Sequence, residues 1–204
     1  MSRVEVGSVY VHAPFCARRC FYCDFAVTVD RTPDPEPWLR SIEREVEALD
    51  LEGRVALAPR LETLYVGGGT PSLLGAEVME RLGSLVAGDA RSMERLSLPD
   101  LEWTAEANPE SFTPAVAAGW RRAGVNRLSL GTQSFQEPVL RWMGRLHGPD
   151  GTAAAVAAAR DAGFESWSVD LIFGLPATVE RDWSMDLDAA LALDPPHLSL
   201  YGLT

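Results

Sequence analysis

The chain of 204 residues contains no lysine: all 18 of its basic residues are arginine. That absence excludes a lysine Schiff base and a phosphate loop built on the Walker lysine. No apolar run reaches the length of a membrane span. Met1-Ser-Arg-Val-Glu-Val6 lacks the apolar core of a signal peptide. The net charge of −11 argues against a general nucleic-acid binder, which needs a cationic face for phosphates. Cysteine is scarce, with three in the whole chain. An odd number cannot all pair within one chain. Free thiols suit a reducing cytoplasm, and that is the expected location. The hydrophobic share of 47% is ordinary and sufficient for one sizeable core.

The three cysteines fall within eight residues, Cys16-Ala-Arg-Arg-Cys20-Phe-Tyr-Cys23. That spacing puts three thiols on one tight loop, where they could converge on one inorganic centre. Iron–sulfur clusters are held by thiolates, usually four. With three, one iron of a cubane is left open to another ligand. A zinc site is an alternative, with His12, four residues before Cys16, as its fourth ligand. Zinc motifs normally pair two separated clusters, and the sequence has no second one. Three inert thiols behaving as small hydrophobes are the remaining reading.

Six short strand patterns alternate with helical ones. The strands are Ser8–His12, Leu61–Val66, Leu101–Glu106, Asn126–Leu130, Ser166–Phe173 and His197–Tyr201. Arg31–Pro37 reads as a connector. Helices are expected from Trp38 to Leu49, Ala76 to Val86, Thr113 to about Gly124, Pro138 to Met143, Thr152 to Ala162 and Val179 to Leu193. Thr113 before Pro114 is a good helix start, Asp150 is read as the cap of the alanine-rich helix, and Gly163 as its stop. Gly88–Asp100 reads as a polar surface connection. Units of about thirty residues imply βα repeats and a parallel sheet. A doubly wound sheet and a partial barrel both fit this periodicity. Polar or glycine residues at nearly every strand end favour the barrel, whose site is built at that face. The chain stops just past its sixth strand, so it is expected to be the front part of a longer protein or a minimal domain.

Gly67-Gly-Gly-Thr-Pro71 has the wrong glycine spacing for a dinucleotide fingerprint. It either makes a turn or lets backbone approach a ligand closely. Glu106 and Asp170 at strand ends could bind an amine or ribose hydroxyls, although each alone reads first as an ordinary strand-end acid. Arg145 could fork onto a carboxylate; singly it reads as a helix-surface residue. His147 and His197 read as surface or loop-packing residues.

Taken together, Tyr10-Val-His-Ala-Pro-Phe-Cys16 with Cys20 and Cys23, Gly67–Pro71, Glu106-Ala-Asn-Pro109, Leu130-Gly-Thr-Gln-Ser-Phe135 and Asp170-Leu-Ile-Phe-Gly-Leu-Pro176 resemble the radical S-adenosylmethionine (SAM) superfamily. Within it they resemble the oxygen-independent coproporphyrinogen III oxidase-like family, which includes haem chaperones. The resemblance covers the whole chain and implies a partial (β/α)6 TIM-like barrel of parallel strands as one core domain, residues 1–204, without the family's C-terminal domain. It also implies a [4Fe–4S] cluster on Cys16, Cys20 and Cys23, with SAM chelating the open iron. Reduction would then cleave SAM to methionine and a 5′-deoxyadenosyl radical. By motif match, Tyr10, Tyr22, Gly68, Gly69, Thr70, Glu106, Gln133, Arg145, Asp170 and, near the chain end, Gly202 are the expected SAM contacts.

In the true oxidases the loop carries a further cysteine two residues beyond the third. Here that position is Phe25, which resembles the haem-chaperone branch. The expected function is therefore haem trafficking, with haem as cargo, an electron-donor protein and haem-accepting respiratory proteins as partners, and no nucleic acid. Coproporphyrinogen III oxidation and a zinc-stabilised binding domain are the alternatives. An open barrel edge after the sixth strand predicts poor solubility.

Overall fold

The computed structural model describes residues 3–87, 96 and 101–203. The first half runs β1 (Val4–Val6), β2 (Ser8–Ala13), β3 (Phe15–Cys16), β4 (Thr28–Val29), α1 (Glu36–Glu52), β5 (Val55–Leu57), β6 (Thr63–Gly68), a 3-10 turn (Pro71–Leu74) and α2 (Val78–Ala87). The second half runs β7 (Glu102–Ala107), α3 (Pro114–Ala123), β8 (Arg127–Gln133), α4 (Glu137–Met143), α5 (Gly151–Asp161), β9 (Ser166–Phe173), α6 (Trp183–Ala192) and β10 (His197–Gly202). All six expected strands are present. The expected connection at 88–100 lies outside the described residues, apart from Leu96.

β2, β6, β7, β8, β9 and β10 form one sheet in that sequential order, and every neighbouring pair is parallel. This order separates the two architectures that periodicity left open. A doubly wound sheet reverses its strand order at a switch point; this one never does. Right-handed crossovers in one direction put the helices on one face and leave the other as a concave interior. The result is an α/β partial barrel, open between β2 and β10.

Strand alternation sorts the side chains between those faces. Val11, Leu64, Val66, Trp103, Leu128, Leu130, Trp167 and Val169 point to the helices and join one core cluster. Their intervening neighbours are polar: Tyr10 pairs with Tyr65 and Tyr65 with Thr104, while Glu106 pairs with Ser129 and Ser129 with Ser168. The barrel interior is therefore a polar chamber walled by an apolar layer. Trp120 of α3 is fully buried in that layer, with its indole N–H on the Gly75 carbonyl at 3.0 Å. Full burial of such a side chain contributes about 1.5–3 kcal/mol.

Several local expectations are corrected. α6 begins at Trp183, four residues after Val179, because Asp182 caps it by accepting from the N–H groups of Ser184 at 2.9 Å and Met185 at 3.3 Å. Asp150 stands at the N-cap of α5, but it is already αR and makes no capping bond. Thr113 does cap α3, accepting from Val116 N–H at 3.3 Å, and Gly124 closes that helix in the left-handed region. The short pairs β1–β5 and β3–β4 were not foreseen.

Candidate functional site

The cysteine loop leaves β2 and is tied down at both ends. β3 pairs with β4, Asp30 N–H donates to the Cys16 carbonyl at 2.9 Å, and Phe21 N–H donates to the Met143 carbonyl at 3.3 Å. The glycine run at the end of β6 lies against this loop: Gly69 N–H reaches the Ala13 carbonyl at 2.8 Å and Thr70 N–H the Phe15 carbonyl at 2.7 Å. A Cβ at Gly69 would sit 2.6 Å from the Phe15 carbonyl oxygen. Gly68 has φ of +105°, and a Cβ there would lie 2.3 Å from the His12 ring. Both glycines are thus required by close approach of the chain to its own cysteine loop and His12.

A cavity of about 260 Å³ opens at this end of the barrel, lined by all three cysteines together with Tyr22, Gly68, Gly69, Thr70, Glu106, Gln133, Arg145 and Asp170. The structure brings these sequence-selected residues to one place. It leaves two others beside it. Tyr10 lines a neighbouring groove and stacks on Tyr65 at 5.8 Å, and Gly202 ends β10 opposite Phe173. Asn108, Ser129 and Tyr201 also face the cavity and were missed. Asn108 and Tyr201 stand within or beside segments that the sequence reading quoted, but no charge or spacing singles them out.

Arg145 is the hub, and the helix-surface reading of it is overturned. Its side chain is 4% exposed. Two groups accept from Nη2: Asn108 Oδ1 at 2.7 Å and the Gly131 carbonyl at 2.6 Å. Nη1 reaches Tyr22 Oη at 3.4 Å and Cys20 Sγ at 3.8 Å. Nε is buried with no hydrogen-bond partner among the described residues. Glu110 stands behind, 4.0 Å from Arg145 and 3.3 Å from His147 Nδ1. Burial pushes the Glu110 carboxyl up, but the His147 hydrogen bond and the Arg145 charge overturn that and hold it low. His147 is accordingly a buried packing residue, whereas His197 is exposed.

The same cavity carries two acids. Glu106 accepts from Tyr65 Oη at 2.7 Å and from Gly68 N–H at 3.0 Å. Asp170 accepts from Ser129 at 2.5 Å and Ser168 at 3.0 Å. Burial raises both carboxyl pKa values despite these bonds. Burial also raises the Tyr65 hydroxyl, reinforced by the charge of Glu106. The chamber thus combines a guanidinium and three thiols with two carboxyl groups, a set suited to a zwitterionic ligand.

The donor set fits a multi-iron cluster better than a single ion. Among the described residues, no three His, Cys, Asp or Glu side chains are grouped so as to hold one metal ion. His12, the fourth ligand of the zinc reading, has its ring nitrogens at 3.3 Å from Tyr10 Oη and 2.9 Å from the Ala26 carbonyl. A cubane takes one thiolate on each of three irons, so its ligands need a shared cavity and not a shared point. All three cysteines are free and partly exposed. Thr70 Oγ1 donates to Cys16 Sγ at 3.5 Å, and the arginine with an unused Nε supplies the positive charge that a thiolate-rich group needs.

Comparison with known proteins agrees with this geometry. The profile of the Radical SAM superfamily matches residues 10–190. Heme chaperone HemW of Mycobacterium tuberculosis is 41% identical over 201 residues, covering 96% of this chain and 49% of that protein. HemW of Escherichia coli is 38% identical over 205 residues, covering 100% of this chain and 52% of that protein. The solved coproporphyrinogen III oxidase HemN of Escherichia coli superposes with a TM-score of 0.80 at 28% identity, covering 100% of this chain and 45% of that one. The chain therefore belongs to the radical SAM superfamily. It spans about half the length of the curated relatives it matches.

Proposed function

We propose that this chain is the cluster- and SAM-binding core of a haem-trafficking protein. The observation that carries this reading is the one cavity that three free thiols and the buried Arg145 share with Glu106 and Asp170. Cys16, Cys20 and Cys23 would hold the [4Fe–4S] cluster. Tyr22, Gly68, Gly69, Thr70, Glu106, Gln133, Arg145 and Asp170 would hold SAM, with Tyr10 and Gly202 completing the set by motif match. When bound, the pair supplies one-electron reductive cleavage of a sulfonium. The protein's share is to orient and to exclude water and oxygen. Arg145 offers positive charge beside Cys20, and Glu106 and Asp170 offer acceptors in the same chamber. Glu106 is itself fixed by Tyr65 and the Gly68 amide.

Haem as cargo is supported by the relatives named heme chaperone and by Phe25, which occupies the place of the oxidases' extra cysteine and lines the cavity. The reading includes an electron-donor protein, haem-accepting respiratory proteins and a reducing cytoplasmic setting. Electron paramagnetic resonance of the anaerobically reconstituted, dithionite-reduced chain tests the core of it. A reduced [4Fe–4S] signal that changes shape on adding SAM is expected; zinc without iron or sulfide sinks it. Haem titration then reads the cargo, as a saturable Soret shift. The similarity to HemN keeps oxidation of coproporphyrinogen propionates as a second reading. Anaerobic turnover to protoporphyrinogen would favour it.

A further inference from the structure

Gln133 lines the cavity with φ of +67°, in the left-handed region. A residue with a side chain is disfavoured there and persists only where its surroundings over-determine it. The β8–β9 register shifts between Gly131 and Gln133, and Ser134 N–H donates to the Thr132 carbonyl at 2.8 Å, closing a tight turn around Gln133. Yet the conformation has a consequence for the site: the Gln133 side-chain nitrogen comes within 3.0 Å of where a Gly131 Cβ would be, next to Asn108 and Arg145.

A buried ion pair holds the residues that follow this turn. Asp186, in the first turn of α6, is 0% exposed. Both its oxygens accept from Ser134 Oγ at 2.9 Å, and Oδ1 accepts from Phe135 N–H at 2.7 Å. Arg181 pairs with it at 2.6 Å, its side chain 7% exposed and stacked on Trp183. The same guanidinium donates to the Ile172 carbonyl and, at 3.5 Å, to the carbonyl of Gln133 itself. Gln133 is thus held from its C-terminal side, through its own carbonyl and through the two residues that follow it. Gln136 and Asp182 lock the same two loops through reciprocal bonds of 2.7 and 2.9 Å.

We propose that the Arg181–Asp186 pair is a positioning device for the cofactor cavity: it holds Gln133 left-handed so that its amide faces the ligand, although neither charged residue lines the cavity. The proposal rests on reading that cavity as the SAM site. A merely structural staple between α6 and the β8 end would lower stability without acting through Gln133. The two roles separate in a double-mutant cycle on the reconstituted full chain.

R181Q is expected to weaken SAM binding about tenfold in the parent and at most about twofold in a Q133A background, since coupled residues are non-additive. Equal losses in both backgrounds overturn the proposal. Breaking one half of a buried pair leaves an unpaired charge and could unfold the chain. R181Q/D186N, which removes both charges and keeps an acceptor for Phe135 N–H, then replaces R181Q in the same cycle. A second arm uses the cluster-free protein, where the 13Cα and 13Cβ shifts of Gln133 report its φ. They should leave left-handed values in R181Q/D186N, and unchanged shifts overturn the positioning role. If the parent binds no SAM, the cavity reading and the functional half of the proposal fall together, while the shift arm still decides the structural half.

Discussion

Asp170 and Glu106 carry charge into the barrel interior, and burial raises both of their pKa values. The native state therefore binds protons more tightly than the unfolded chain. Stability is fully present below the unfolded carboxylate range, about pH 4, and falls as pH rises through the raised native values. Glu110, held low by His147 and Arg145 against burial, works in the opposite sense. Asp170→Asn isolates the first effect, because Ser129 and Ser168 can rotate their hydroxyls to suit an amide. Urea titrations of the ligand-free chain should show D170N more stable than the parent near pH 7, with the difference shrinking towards pH 4. A parent whose stability is no lower than D170N at pH 7 contradicts this. Arg145→Met should destabilise the chain by about 3 kcal/mol, since it strands Glu110 and the acceptors Asn108 and Gly131 in a buried place. The same urea experiment reads that loss, and a change under 1 kcal/mol would mean that the acceptors find other donors.

At the scale of elements, caps divide by whether their side chain makes the bond. Thr113 does and Asp150 does not. Thr113→Ala should cost about 1 kcal/mol, whereas Asp150→Ala should stay within about 0.5 kcal/mol of the parent. Thermal unfolding of the two variants side by side checks the contrast. Both residues look alike in sequence, each a capping type before a helical run. What separates them is the backbone at Asp150, already αR, which local pattern does not reveal. The six long strands were legible because polar and apolar residues alternate along them and glycine or polar residues close them. β1 and β5 were not: three residues each are too short for a period, and their pairing joins positions some fifty residues apart. Arg145 was legible by motif match and not by its surroundings, since its burial comes from Tyr22, Asn108 and Gly131, brought in from three other elements. The Arg181–Asp186 pair escaped for the same reason. An arginine five residues before an aspartate at a helix start looks like an exposed pair until the β8 end folds over it.

For the whole molecule, the decisive feature is the sheet that does not close. β2 and β10 are its edges, and an unpaired edge is a template for another strand. The β10 edge is also apolar, with Leu200 48% and Tyr201 54% exposed, and Phe173 stands 45% exposed beside it. Opposing this is the net charge of −11, which makes copies repel at low ionic strength. The repulsion is screened beyond a Debye length of about 8 Å at physiological salt, and edge pairing is not. Self-association should therefore rise with both concentration and salt, the reverse of an assembly held by ion pairs. Leu200→Lys places a charge on the edge, the device natural sheets use to block pairing. It should return the chain to monomer in size-exclusion chromatography with light scattering at physiological salt. A parent chain that stays monodisperse and monomeric at high concentration and high salt would show that the open edge is protected in some way that its exposed residues do not reveal.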